Sequence, residues 1–122
     1  MISLDSLNSS KASGTPFEFE YKFSNGNGTG VFLSVLGDES EVVCVEQAAL
    51  MAGERVRAAA DPSYEIDPVK IGQKMAAIRL IGWRGIEEKY SPENAITLCM
   101  SNRTICDQII NHSKQLGNFI KL

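Results

Sequence analysis

The sequence is poor in the residues that build metal and catalytic centres. Its 122 residues include one histidine, His112, and three cysteines, Cys44, Cys99 and Cys106. A zinc site needs several such ligands at short spacing, and this chain has no C-x-x-C pair and no second histidine. On a shared helix, His112 and Cys106 would lie on nearly opposite sides and would not form a nucleophile pair. We therefore predict no catalytic residue, no metal ligand and no cofactor, and interpret the cysteines as core residues.

The sequence also lacks an excess of positive charge. The net charge is −3 and the pI is about 5.1, which argues against a protein that binds nucleic acid by neutralising its phosphates. A cluster of basic residues in the middle of the chain leaves a weaker alternative open, a phosphate backbone or an acidic protein as partner: Lys70, Lys74, Arg79, Arg84 and Lys89. We predict no nucleic-acid partner.

Long hydrophobic runs are absent as well. No segment approaches the roughly 20 consecutive apolar residues that span a bilayer. Residues 1–11 have neither the basic start nor the apolar centre of a secretory signal. Three cysteines without such a signal are typical of free thiols in a reducing compartment. The sequence therefore predicts a cytoplasmic protein without a membrane partner.

The composition is that of one globular domain. Hydrophobic residues make up 43% of the chain and charged residues 22%, and the length fits a single domain. Residues 1–15 are polar and rich in serine, which predicts a flexible N-terminal arm, or alternatively an arm that folds onto a partner. Residues 16–122 carry the periodic patterns of a folded domain.

The first part of this domain predicts a β-hairpin over residues 16–36. Residues 17–23 alternate between aromatic and charged side chains, which is the period of a half-buried strand. A loop rich in glycine and asparagine follows at 24–30, and residues 31–36 form the second strand. The loop spacing is G-x-G-x-G and a strand follows it, which favours a hairpin turn over a phosphate-binding loop. A lone hairpin is unstable in water, so we expect its aromatic face to pack on a helix.

Helices are predicted after the hairpin, at about residues 40–60, 68–82, 92–101 and 103–120. Asp67 and Ser91 are N-cap residues, each followed by a proline at the first helical position. The first of these helices carries an apolar stripe that we expect to face the core: Val42, Val45, Ala49, Ala52 and Val56. The predicted fold is therefore α+β, with an N-terminal antiparallel hairpin or small sheet packed on a C-terminal bundle of about four helices.

Aromatic residues are the candidates for contact with a partner. Phe17, Phe19 and Tyr21 share one face of the first predicted strand. Trp83 begins the predicted loop between the second and third helices, and Tyr90 follows directly after that loop. Large amphipathic side chains of this kind are typical of binding hot spots. The alternative is structural: Trp83 closes the core, and Tyr90 packs as a hydrophobic staple before the third helix.

The order of residues in the C-terminal part of the chain is a further signal. Gly82-Trp83-Arg84-Gly85 is followed by Tyr90-Ser-Pro-Glu-Asn-Ala95, then by Ile105, Gln108 and Ile109, and finally by Asn118-Phe119. This order resembles that of the tail assembly chaperones of tailed bacteriophages and of related small tail proteins. In that group a strand pair and a helix also precede the series.

The resemblance implies a protein that makes no covalent bond. Such chaperones bind the long, helical tape measure protein in the host cytoplasm and keep it soluble until the tail tube polymerises around it. The expected contact is a helix laid in an apolar groove, here between the hairpin and the first long helix. Self-association into a homo-oligomer is compatible with this role. Two other functions stay open: a virion structural protein, such as a connector or tail-completion subunit, and a small regulatory or inhibitory protein-binding module.

Overall fold

The computed structural model describes residues 1–122 and is α+β, with 52% of the chain in helices and 16% in strands. Its elements follow in this order: α1 (Ser9–Ser13), β1 (Phe17–Lys22), β2 (Gly28–Val35), α2 (Glu41–Ala60), α3 (Pro68–Arg79), β3 (Leu80–Arg84), α4 (Pro92–Ser101) and α5 (Arg103–Ser113). Single 3₁₀ turns lie at Asp5–Leu7 and Leu116–Asn118. The predicted class, a hairpin followed by a set of helices, is confirmed.

The hairpin forms as predicted and supplies two strands of a three-stranded antiparallel sheet in the order β1-β2-β3. Phe17 pairs with Val35 and Phe19 with Leu33. The glycine-rich loop is a hairpin turn, in which Gly26 has a φ of 85°, a value that favours glycine.

The third strand corrects the sequence prediction, which extended the second helix to residue 82 and placed Trp83 in a loop. The helix ends at Arg79, and residues 80–84 pair with β2, with Trp83 opposite Leu33 and Gly82 opposite Ser34. The helical period of the sequence continues past Arg79, but β2 offers a free edge there. Pairing with this edge decides the local structure, because tertiary context overrides a weak helix preference.

The last helix is also shorter than the predicted 103–120. It ends at Ser113, and the chain turns back through residues 116–118 so that Phe119 enters the core. The Asn118 side chain donates to the carbonyl of His112 at 3.0 Å, and the glycine at position 117 is a poor helix former. Both features favour a helix end at Ser113, which the spacing of the apolar residues alone does not indicate.

The core lies between the sheet and helices α3, α4 and α5. It is a cluster of 11 buried residues: Phe19, Leu33, Val35, Ala76, Leu80, Ala95, Cys99, Ile105, Cys106, Ile109 and Phe119. The predicted caps orient the helices that enter it. The Asp67 carboxylate accepts the N–H groups of Val69 and Lys70, and the Ser91 hydroxyl accepts the N–H of Asn94.

The N-terminal segment differs from the arm expected at residues 1–15. Residues 9–13 form α1, which is capped by the side chain of Asn8. The side chain of Ser13 is buried, and its carbonyl accepts the N–H of Gly37 at 2.8 Å. A Cβ at position 37 would lie only 2.6 Å from the Ser13 side chain, so the two segments approach closely because residue 37 is glycine. The folded domain thus begins before residue 16.

Helix α2 is rotated relative to the prediction. The apolar stripe expected to face the core is open to solvent, with Val42 56%, Val45 59% and Val56 68% exposed. The buried residues of α2 are instead Val43 and Glu54. None of the 11 residues of the core cluster comes from α2. Polar contacts with α3, described below, hold the helix in this orientation.

Candidate functional site

An apolar groove runs along one side of the α2–α3 pair and ends at β3 and the start of α4. Its volume is about 640 Å³, and nine of its 12 lining residues are hydrophobic. Residues that define it are Val42 and Leu50 from α2, Ile78 from α3, Ile81 from β3, Tyr90, and Ile96 from α4. Pockets of this size with mostly apolar walls are the usual places where a protein receives a ligand or a partner side chain.

Polar side chains join α2 to α3 next to the groove. Arg79 of α3 donates to the side-chain oxygen of Gln47 at 2.8 Å and to Asp38, just before α2, at 2.7 Å. Further along the pair, Glu54 accepts the Tyr64 hydroxyl, and its carboxylate lies 3.9 Å from the Lys74 amine. These long side chains span a gap that alanine or valine side chains could not bridge. The apolar residues beside them therefore remain uncovered.

The groove contains little charge. Glu46 and Lys74 are its only charged lining residues. Lys74 lies beside the Glu54 carboxylate, whereas Glu46 makes no ion pair. A helix that enters the groove would therefore meet apolar walls and one unpaired carboxylate. This charge favours a partner with a basic residue at that point.

Among the predicted contact residues, only Tyr90 lines the groove. Its hydroxyl donates to the carbonyl of Leu80 at 2.8 Å, and burial raises the pKa of Tyr90, which keeps the hydroxyl protonated. The Trp83 ring lies edge-on to Tyr90 at 5.3 Å, and its Nε1 donates to the carbonyl of Glu88. Both rings pack against the core cluster, as the structural alternative expected.

The aromatic residues of β1 pack inward. Phe19 is 7% exposed and stacks on the His112 ring at 4.1 Å. Phe17 lies edge-on to Phe119, and Tyr21 packs against the core cluster. The expectation that this face packs on a helix is confirmed, because His112 belongs to α5. This packing buries Phe19 and leaves Phe17 and Tyr21 half-buried. No hairpin residue lines the groove, which therefore does not lie between the hairpin and α2 as expected.

His112 is a neutral aromatic packing residue. Its Nδ1 is buried without a hydrogen-bond partner, and burial lowers the pKa of His112. A base whose pKa is lower in the folded protein binds protons more tightly in the unfolded chain, so the free energy of unfolding falls as the pH falls through the unfolded pKa. We expect the wild type to lose stability between about pH 7 and about pH 5.

The variant His112→Phe should lose this pH dependence while keeping the stacked ring. Urea unfolding followed by circular dichroism at several pH values measures it. The difference between the two proteins is the informative quantity, because carboxylates that titrate in the same range are common to both. A wild-type curve that runs parallel to the variant curve would contradict this account of His112.

Two of the three cysteines lie in the core, as expected. Cys44 is exposed, whereas Cys99 and Cys106 are buried in the core cluster. The Cys106 thiol donates to the carbonyl of Cys99 at 3.1 Å. The neighbouring Cys106 thiol and burial together raise the pKa of Cys99 far above its usual range, so this thiol stays protonated and is a poor nucleophile.

The basic residues of the middle segment do not form one free patch. Arg79 is buried in its network, and Lys74 lies beside Glu54. Arg84 forms an ion pair with Glu18 at 2.9 Å. No group of three or more histidine, cysteine, aspartate or glutamate side chains is arranged to hold a metal ion. No helix combines the length and the apolar character needed to cross a membrane.

The groove residues Ile78, Ile81 and Ile96 were missed as a site by sequence reasoning. They follow the helical period of core residues, and the sequence offers no signal that separates an uncovered isoleucine from a buried one. Comparison with known proteins adds no assignment: no protein-family model, no curated protein and no solved structure matches this chain.

Proposed function

We propose that this chain is a non-enzymatic protein-binding domain and that its groove receives an amphipathic helix of a partner. The C-terminal part of the chain resembles the tail assembly chaperones. On that resemblance, the proposed partner is the tape measure protein, and the chain acts as a tail assembly chaperone in the cytoplasm of the bacterial host. The observation that carries the proposal is the apolar groove between α2, α3, β3 and α4.

Physical chemistry supports a helix as the occupant. An exposed apolar groove costs free energy in water, and contiguous apolar surface of this kind marks interaction sites in stable proteins. A tape measure helix presents an apolar stripe before the tail tube covers it and would otherwise aggregate. Laying that stripe into the groove removes both apolar surfaces from water. The groove lies beside α2 and α3 rather than beside the hairpin.

The variant Ile96→Glu tests the groove. Ile96 is 48% exposed, so a glutamate should leave the fold intact while placing a charge in an apolar contact. Removing one isoleucine from an apolar contact with the partner costs about 1.5–3 kcal/mol of binding free energy. A loss of this size weakens binding by roughly tenfold to a hundredfold. Isothermal titration calorimetry with a purified segment of a tape measure protein measures the affinity.

Val69→Glu is the matched control, because Val69 is also 48% exposed and does not line the groove. It should bind like the wild type. If the wild type binds no tape measure segment, the proposed function is wrong. If both variants bind equally well, the groove is not the binding surface. Absence of the chain from purified virions, measured by mass spectrometry, separates a chaperone from a structural subunit of the particle.

A further inference from the structure

The outer face of α2 carries an apolar seam that nothing in the chain covers. Its residues follow alternating steps of three and four: Val42, Val45, Ala49, Ala52, Val56 and Ala59. This is the a/d spacing of a two-stranded coiled coil. Val43 and Glu54 mark the opposite, buried face of the helix. The seam therefore points away from the domain along nearly the full length of α2.

We propose that this seam docks against the same seam of a second copy, with the two α2 helices antiparallel. A two-fold axis between residues 50 and 51 makes the sequence self-complementary. Val45 then lies opposite Val56 of the other copy, and Ala49 lies opposite Ala52. Val42 meets Ala59 at each end of the seam. Each seam residue thus has an apolar partner, which is the condition for a closed, isologous contact.

The centre of the seam allows a second helix to approach closely. Ala48 and Gly53 flank Ala49 and Ala52, whereas the large Leu50 and Met51 lie on other sides of the helix. At its centre, the seam therefore presents only small side chains. A Cβ added at Gly53 would meet nothing within 4 Å, so the fold of one copy does not require glycine there. A glycine inside a helix costs about 1 kcal/mol. The close approach of a second helix backbone explains why position 53 is glycine despite this cost.

Charge selects the antiparallel arrangement. The exposed acids Glu41 and Glu46 lie in the first half of α2, and the basic residues Arg55 and Arg57 lie in the second half. A parallel pair would place the acidic halves side by side. An antiparallel pair places each acidic half along the basic half of the other helix and also opposes the two helix dipoles.

The length of the seam sets the expected strength. From Val42 to Ala59 it extends about 26 Å at the helical rise per residue. A single pair of helices of this length buries less surface than the roughly 1,200–2,000 Å² of a standard stable interface. We therefore expect a monomer–dimer equilibrium that depends on concentration. The seam shares Val42 and Ala49 with the groove, whereas Val45, Ala52 and Val56 lie outside it. Variants at these three positions therefore test the dimer separately from the proposed function.

Sedimentation velocity of the full chain over increasing concentration tests the dimer. The wild type should shift from monomer to dimer, and Ala52→Glu should weaken the dimer by at least about tenfold, with helix content checked by circular dichroism. Val69→Glu, outside the seam, should leave the dimer unchanged. A wild type that stays monomeric at every concentration overturns the proposal, as does a dimer that Ala52→Glu does not weaken.

Disulfide trapping tests the orientation, with exposed Cys44 replaced (Cys44→Ser) in all chains. Under mild oxidation, Val45→Cys and Val56→Cys chains should cross-link to each other when mixed. Val45→Cys alone should not cross-link, because antiparallel pairing separates the two copies of position 45 by roughly 16 Å along the helix, too far for a disulfide. Efficient cross-linking of Val45→Cys to itself would indicate a parallel pair and overturn the proposed orientation.

Discussion

Replacing Gly85 with alanine is expected to destabilise the fold by about 2–6 kcal/mol. Gly85 has a φ of 86°, and a Cβ there would lie 2.2 Å from the carbonyl oxygen of Gly30. The left-handed conformation costs a residue with a side chain about 1–3 kcal/mol, and relieving the clash adds about 1–3 kcal/mol. The clash involves backbone atoms of β2, which cannot rotate away as a side chain could.

Gly82→Ala is the control, because it adds the same methyl group three residues earlier, within β3. The nearest atom to its Cβ would be the Ser34 Cβ at 3.8 Å, an ordinary contact, and its φ is not positive. This variant should be neutral or slightly stabilising, since alanine restricts the unfolded chain. Urea unfolding of both variants measures the difference. Equal stabilities for the two would refute the claim that the approach of Gly85 to Gly30 fixes the turn after β3.

The parts of the fold that were predictable from sequence depend on local chemistry. The alternation of residues 17–23 and the turn residues after them specify the hairpin, because both signals lie within one segment. The Asp67 and Ser91 caps fix two helix starts for the same reason. Each of these features can be predicted without knowing which distant residues it contacts, and the structure confirms each of them.

The features that sequence reasoning missed depend on distant partners. Residues 80–84 join the sheet because β2 has a free edge, which the helical period of the segment does not encode. The orientation of α2 depends on Arg79, Gln47 and Glu54, whose contacts connect separate helices. Hydrophobic periodicity favoured the valine stripe as the buried face, but the buried polar network places the stripe outside. The groove follows from that orientation, so it too was beyond sequence reasoning.

The second large effect is expected at Arg79, whose replacement by alanine should cost about 3–5 kcal/mol. Arg79 is 6% exposed, and its guanidinium donates to Asp38 at 2.7 Å, to the Met75 carbonyl at 2.7 Å and to Gln47 at 2.8 Å. The Arg79 side chain is buried, whereas that of Asp38 is 38% exposed and keeps part of its hydration. The expected loss therefore comes mainly from three hydrogen bonds to a charged group, each of which contributes about 1.5–3 kcal/mol. Because Arg79 joins α2 to α3, the damage should concentrate in α2, where amide hydrogen exchange should accelerate most.

Arg84→Ala is the matched control, since it removes the same side chain from an ion pair at the surface. Arg84 and Glu18 are both substantially exposed, and pairs of this kind contribute little to stability. We expect little change in urea unfolding and no change in hydrogen exchange of α2. If Arg79→Ala behaved like Arg84→Ala, the buried network would not be what holds α2. The groove beside α2 would then need a different physical origin, because its open shape follows here from polar side chains that keep two apolar helix faces from closing on each other.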